Sequence, residues 1–162
     1  MGGIAALTVA EGALRGKDPQ VAHGSLPDVE VVLMSRDART RELMALTVRS
    51  IERRLGEPLR FRAAANGELA ARAVLRDRPD IVIADEIATR MGAFALARSL
   101  RDDARPFTGV IVILLERTHD IWLASWSGAD AWFVKPADPF AVADRVWELL
   151  EERGRVPQEE RV

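Results

Sequence analysis

Asp80-Ile81-Val82-Ile83-Ala84-Asp85 decides how this chain reads. Four consecutive apolar residues follow Arg78-Pro79-Asp80 and stop at an acid. The run is too short for a helix and shows no polar alternation. It predicts a strand buried on both faces, as in a parallel sheet covered by helices. Asp85 closes the strand at its carboxyl end. In open α/β sheets that edge is where ligands bind and chemistry occurs.

The same kind of run recurs on both sides. Val29-Glu30-Val31-Val32-Leu33-Met34 predicts a first strand, and Asp37 is placed to cap the helix after it. In that helix Met44, Val48, Ile51 and Leu55 form one amphipathic stripe, ended by Gly56 and Pro58. Leu59 to Ala63 alternates as a second strand, Ala65-Asn66-Gly67 turns the chain, and Glu68 to Arg76 is an Ala-rich helix. Downstream, Met91 to Asp102 reads as a helix, Val110 to Leu115 as a strand and Asp120 to Ser127 as a short helix. Ala131 to Val134 reads as a fifth strand. Asp138-Pro139 starts a last helix whose buried face is Val142, Val146, Leu149 and Leu150, and Gly154 ends it. Five strands alternating with five helices imply a parallel sheet with helices on both faces. Such a sheet brings Asp85 and Lys135 to one edge.

Bulk properties narrow the function classes. A chain of 162 residues, 48% apolar and 30% charged, suits one soluble domain with a sizeable core. The net charge of −2 gives no electrostatic case for nucleic acid as the main partner. With no cysteine there is no disulfide, thiolate metal site or cysteine nucleophile. No segment reads as membrane-spanning or as a secretory signal, and a cytoplasmic setting is expected. Lysine occurs only at Lys17 and Lys135, so a lone lysine inside the domain, next to Pro136, stands out. Residues 1–28 form an arm rich in small residues, with Ile4, Leu7 and Val9 available to dock on something. Residues 29–154 form the domain, and 155–162 a polar tail.

Three stretches carry a resemblance. They are Ala65-Asn66-Gly67-Glu68-Leu69-Ala70, then Arg78-Pro79 running into the quoted strand, then Gly128-Ala129-Asp130-Ala131-Trp132-Phe133-Val134-Lys135-Pro136. In this order they resemble the receiver domain of two-component response regulators, over about residues 29–154. Asp85 and Lys135 stand 50 residues apart (135 − 85), close to the family's separation. The resemblance implies a flavodoxin-like doubly wound five-stranded parallel sheet of order 2-1-3-4-5. It also implies a cis peptide before Pro136 and an acceptor aspartate, Asp85, phosphorylated by a histidine kinase or a phosphotransfer protein. Mg²⁺ and the Lys135 ammonium would neutralise the phosphoryl oxygens.

The sequence departs from that pattern in two places. The family's metal-holding acidic pair falls on Ser35 and Arg36, with Asp37 one position on, so Mg²⁺ loses the ligands it prefers. The hydroxyl expected on the fourth strand falls on Leu114 or Leu115, followed by Glu116, an acid that would repel a phosphoryl group. The aromatic switch position is Trp132. Arg36 is expected to join Lys135 beside Asp85, giving two cations around one acid and a substitute for the metal. Trp122, Trp126 and Trp147 are expected either in the core or as interface anchors on the face formed by the fourth helix, fifth strand and fifth helix. His23 and His119 are isolated.

These readings favour a stand-alone, atypical receiver that signals by binding an effector or a second copy through that face. Too few residues follow Gly154 to build an output domain. A phosphorylation-competent single-domain regulator is the alternative. A flavodoxin-like cofactor-binding domain is the third, weakened because Ser35-Arg36-Asp37-Ala38 is no Gly-rich phosphate loop.

Overall fold

The computed structural model describes residues 28–87 and 90–157. Residues 1–27 of the expected 1–28 arm, including His23, and residues 158–162 of the tail lie outside them. In order the elements are β1 (Glu30–Met34), α1 (Ala38–Arg49), one further helical turn (Glu52–Leu55), β2 (Arg60–Ala64) and α2 (Gly67–Asp77). There follow β3 (Ile81–Asp85), α3 (Ala93–Asp102), β4 (Val110–Leu115), a 3₁₀ turn (Thr118–Asp120), α4 (Ile121–Ser127), β5 (Ala131–Val134) and α5 (Pro139–Glu152). All strand pairs are parallel, in the order β2-β1-β3-β4-β5 that the resemblance implied.

The continuous apolar runs became the central strands because only there are both faces covered. Every residue of β3 and of β4 is buried. The alternating segment became the edge strand β2, whose Arg60 is exposed. Charged side chains on an edge strand discourage pairing with another chain. Side-chain parity then splits the core in two. Ile81, Ile83, Val112 and Leu114 pack with α1 and α5. Val82, Ala84, Ile113 and Leu115 pack with α2, α3 and α4.

Caps set the helix starts. Asp37 accepts the Arg39 and Thr40 amides at α1, Asn66 accepts Leu69 at α2, and Asp138 accepts Phe140 at α5. The stripe predicted as one helix through Leu55 is interrupted after Arg49. There the Thr47 hydroxyl donates to the Leu43 carbonyl and the Ser50 hydroxyl to the Thr47 carbonyl, so side chains compete for groups at the end of the helix. Gly67 tolerates no side chain: a Cβ there would lie 2.2 Å from the Met91 carbonyl oxygen. The tail expected to begin at residue 155 instead joins the core through Val156, which is buried, while Arg155 pairs with Asp80 at 2.6 Å.

Candidate functional site

Asp85 ends β3, and alternation turns its side chain to the α1/α5 side of the sheet. It is 4% exposed, and both of its oxygens are engaged. Lys135 Nζ donates to Oδ1 at 2.7 Å, and the Ser35 hydroxyl donates to Oδ2 at 3.0 Å. The Ile87 amide adds a long contact to Oδ1 at 3.4 Å. Three strand ends therefore converge on one carboxylate: Ser35 follows β1, Asp85 ends β3 and Lys135 follows β5.

Each partner is fixed by backbone. The Ser35 amide donates to the Ala64 carbonyl at the end of β2, the Asp37 amide donates to the Ser35 hydroxyl, and the Arg41 guanidinium donates to the Ser35 carbonyl. Lys135 continues the β4–β5 ladder, its amide donating to the Leu115 carbonyl at 2.8 Å, and its peptide to Pro136 is cis. The Lys135 ammonium has a second anionic partner, the Glu116 carboxylate. Burial alone would lower the Lys135 pKa. Hydrogen bonds and charge interactions with Asp85 and Glu116 together outweigh it and hold the pKa above the usual lysine value. Glu116 is itself positioned by an acid: its amide donates to Glu86 Oε2 at 2.6 Å. Burial, opposed by that amide and aided by Asp120, raises the Glu86 pKa.

The structure corrects the expectation for Arg36 and bears out Asp37 as a helix cap. Arg36 is exposed and makes no ion pair with Asp85; among the described residues Lys135 is the one cation paired with that acid. Ser35 takes the inward direction at the strand end, so its neighbour turns to solvent. A permanently charged guanidinium also resists leaving water. Asp37 does not reach the site. It caps α1, and the Thr40 hydroxyl at 2.7 Å holds its carboxyl below the usual range. Arg41 and Glu86 were missed by sequence reasoning. Neither sits in a motif; only the folded β1–α1 and β3 ends give them a role.

The register distinguishes the two leucines of the fourth strand. Leu114 is the direct partner of Asp85 and shares its side of the sheet, whereas Leu115 faces the other core. Trp132 also faces that other core, beside α2, α3 and α4, so the sheet separates it from Asp85. A cavity of about 540 Å³ lies between α1 and the start of α5, with Ile83 and Leu114 in its lining and Glu116 and Lys135 also bordering it. The tryptophans divide. Trp147 is buried, with Arg54 over its ring at 4.2 Å, while Trp122 and Trp126 are 66% and 55% exposed. His119 is exposed, and among the described residues no three His, Cys, Asp or Glu side chains are grouped to hold a metal. No helix among them is long and apolar enough to cross a membrane.

A doubly wound sheet with an aspartate and a lysine meeting at its carboxyl edge defines a receiver-type α/β domain. Compared with models of known protein families, the chain matches none. It is 31% identical over 125 residues to an uncharacterized response regulatory protein of Mycobacterium tuberculosis, covering 75% of this chain and 91% of that one. It is 29% identical over 132 residues to the DNA-binding response regulator MtrA of Mycobacterium leprae, covering 80% of this chain and 54% of MtrA. Among solved structures, the signal receiver domain of a histidine kinase from Syntrophus aciditrophicus has a TM-score of 0.68 at 21% identity, covering 83% of this chain and 98% of that one. The receiver domain of a sensor histidine kinase from Pseudomonas aeruginosa, with magnesium coordinated in its active-site cleft, has a TM-score of 0.65 at 17% identity, covering 76% and 98%. The chain belongs to the response regulator family, and its fold is that of the family's receiver domain.

Proposed function

We propose that this chain is an atypical receiver that signals through protein–protein contacts, with Asp85 at the phosphoacceptor position but neutralised from within. The observation that carries this reading is the pairing of both Asp85 oxygens, one with the Lys135 ammonium and one with the fully buried Ser35 hydroxyl. The donor set does not fit Mg²⁺. That ion takes oxygen ligands in near-octahedral geometry and leans on carboxylates. Here the Asp85 and Glu116 carboxylates both pair with Lys135, the β1 neighbour of Asp85 is a neutral hydroxyl, and Asp37 is turned away as a helix cap. Leu114 offers no hydroxyl to a phosphoryl group, and Trp132 lies across the sheet from it. The coupling of a switch hydroxyl to a rotating aromatic is absent from this set of residues.

The domain spans 29–156 in this reading. Its upstream partner is a histidine kinase or a phosphotransfer protein on the cytoplasmic side, and it acts on no separate substrate. Its output surface is the α4–β5–α5 face, for an effector or a second copy. Trp122 supports this as a ring 66% exposed on α4; Trp126, one turn on, is exposed too but has Arg98 of α3 over its ring at 5.1 Å.

A second reading, a phosphorylation-competent regulator, is favoured by the retained Asp85–Lys135 pair. In that step an Asp85 oxygen bonds to the phosphorus of acetyl phosphate, and acetate leaves with the bond electrons. Intact mass after incubation with acetyl phosphate, with and without Mg²⁺, separates the two. The first reading expects no Mg²⁺-dependent gain. A gain of one phosphoryl group that requires Mg²⁺ and disappears in Asp85→Asn overturns it in favour of the second.

A further inference from the structure

Glu116 is the residue at this site that neither the fold nor the acceptor chemistry requires. It is the first residue past β4, and its carboxylate pairs with the same ammonium that serves Asp85. One lysine thus faces two carboxylates, so the cluster carries one excess negative charge. Arginines in the adjoining loops do not correct this: Arg36 is exposed with no ion pair among the described residues, Arg41 is directed to the Ser35 carbonyl, and Arg117 pairs with Asp120. The arrangement is also not a loose surface contact at its base. The Glu116 amide is held by Glu86, and the Glu86 amide donates to the Leu114 carbonyl at 2.9 Å, so the β3 and β4 ends are tied together beneath it. The side chain itself is 36% exposed, so it borders solvent as well as Lys135.

We infer that Glu116 is a built-in competitor for Lys135: its carboxylate occupies the anion place that an incoming phosphoryl-type oxyanion would need. The inference rests on reading Asp85 and Lys135 as the acceptor site and adds how access to that site is controlled. While Glu116 is seated, an external oxyanion meets a net negative cluster and an ammonium with two partners. When Glu116 swings out, the remaining Asp85–Lys135 pair is neutral and one side of the ammonium is open. Glu116 is a positioning residue here. It acts on the site through Lys135 and forms no bond to a substrate.

The lysine content makes the test direct. With lysine only at positions 17 and 135, lysine labelled with ¹³C at Cε gives two signals by NMR, and one of them reports the site. Inorganic phosphate is titrated into the full chain, its Glu116→Gln variant and its Glu116→Ala variant at constant ionic strength. The half-exposed position makes both substitutions tolerable to the fold. The Lys135 signal is expected to respond at about fivefold lower phosphate in both variants, the size of one partly exposed charge contact, while Lys17 stays unchanged. Equal response in all three proteins, or none in any, overturns the inference. Intact mass after acetyl phosphate treatment of the same proteins reports the acceptor reading separately. A shifted phosphate response without any mass gain keeps the competitor and retires Asp85 as an acceptor.

Discussion

Replacing Ser35 by aspartate restores one member of the missing acidic pair, and its consequences can be worked out from the structure. The Ser35 hydroxyl lies 3.0 Å from Asp85 Oδ2, and the two residues are 0% and 4% exposed. Ser35→Asp therefore puts a second carboxylate about 4 Å from the first with little water between them. At an effective dielectric constant of about 20 their repulsion is about 4 kcal/mol. Lys135 cannot absorb the new charge, because Glu116 already shares it. For a domain of this size each kcal/mol moves Tm by about 2–4 °C, so the variant should melt about 8–16 °C lower without metal. Two carboxylates are also the beginning of a Mg²⁺ site, and ligand at a hundred times its Kd returns about 2.7 kcal/mol. Thermal melts followed by circular dichroism, with Mg²⁺ titrated at constant ionic strength, should show the variant recovering more than half of its loss while the parent does not move. The reasoning is refuted if the parent gains as much from Mg²⁺ as the variant does, or if the variant melts like the parent in metal-free buffer.

Three further outcomes are expected. Lys135→Met leaves Asp85 buried with only the Ser35 hydroxyl and a long amide contact, and should cost about 2–3 kcal/mol in urea unfolding, less than a fully buried pair because the ammonium is partly exposed. Adding Asp85→Asn should recover most of that loss, and a purely additive double mutant would refute the coupling. Burial raises the Glu86 pKa, so the native state holds that proton more tightly than the unfolded chain; this contribution is present in acid and lost as pH rises through the raised value. Glu86→Gln should therefore gain stability relative to the parent between about pH 4 and pH 7, measured by urea midpoints, and a constant difference across that range would count against it. Trp147→Ala should cost about 3–5 kcal/mol as a core truncation, whereas Trp122→Ala should stay within about 0.5 kcal/mol and lower self-association by sedimentation or scattering. An equal cost at both positions would contradict the division between core and surface tryptophans.

The fold was legible because its strongest signals depend on burial alone. Ile81 to Ala84 and Val110 to Leu115 are apolar without alternation, and both became strands covered on two sides. The site was legible only in part, because its details depend on which side of the sheet a residue faces, and that changes with every residue. Sequence places Ser35, Arg36 and Asp37 in the right loop but leaves open which one turns inward; the backbone selects Ser35. The same one-residue difference separates Leu114, which pairs with Asp85, from Leu115, which faces the other core. Arg36 misled for a further reason. Charge complementarity suggested a cation beside Asp85, yet the arginine with a contact in that loop is Arg41, and it binds a carbonyl.

Glu116 marks the limit more sharply. Past the end of a strand, pleat parity no longer assigns direction, and a three-bond side chain can face the site or solvent. The sequence shows an acid there and predicts repulsion of a phosphoryl group. Only the folded positions of Leu115 and Lys135 reveal that the same carboxylate also has an attraction, to the Lys135 ammonium. Repulsion alone would weaken anion binding whatever the lysine did. Competition makes a narrower demand: the effect of neutralising Glu116 must vanish once Lys135 is gone. In a Lys135→Met background, then, Glu116→Gln should no longer sharpen the response of the β3 and β5 ends to phosphate, read from backbone amide shifts. If it still does, Glu116 acts by its field and not through Lys135.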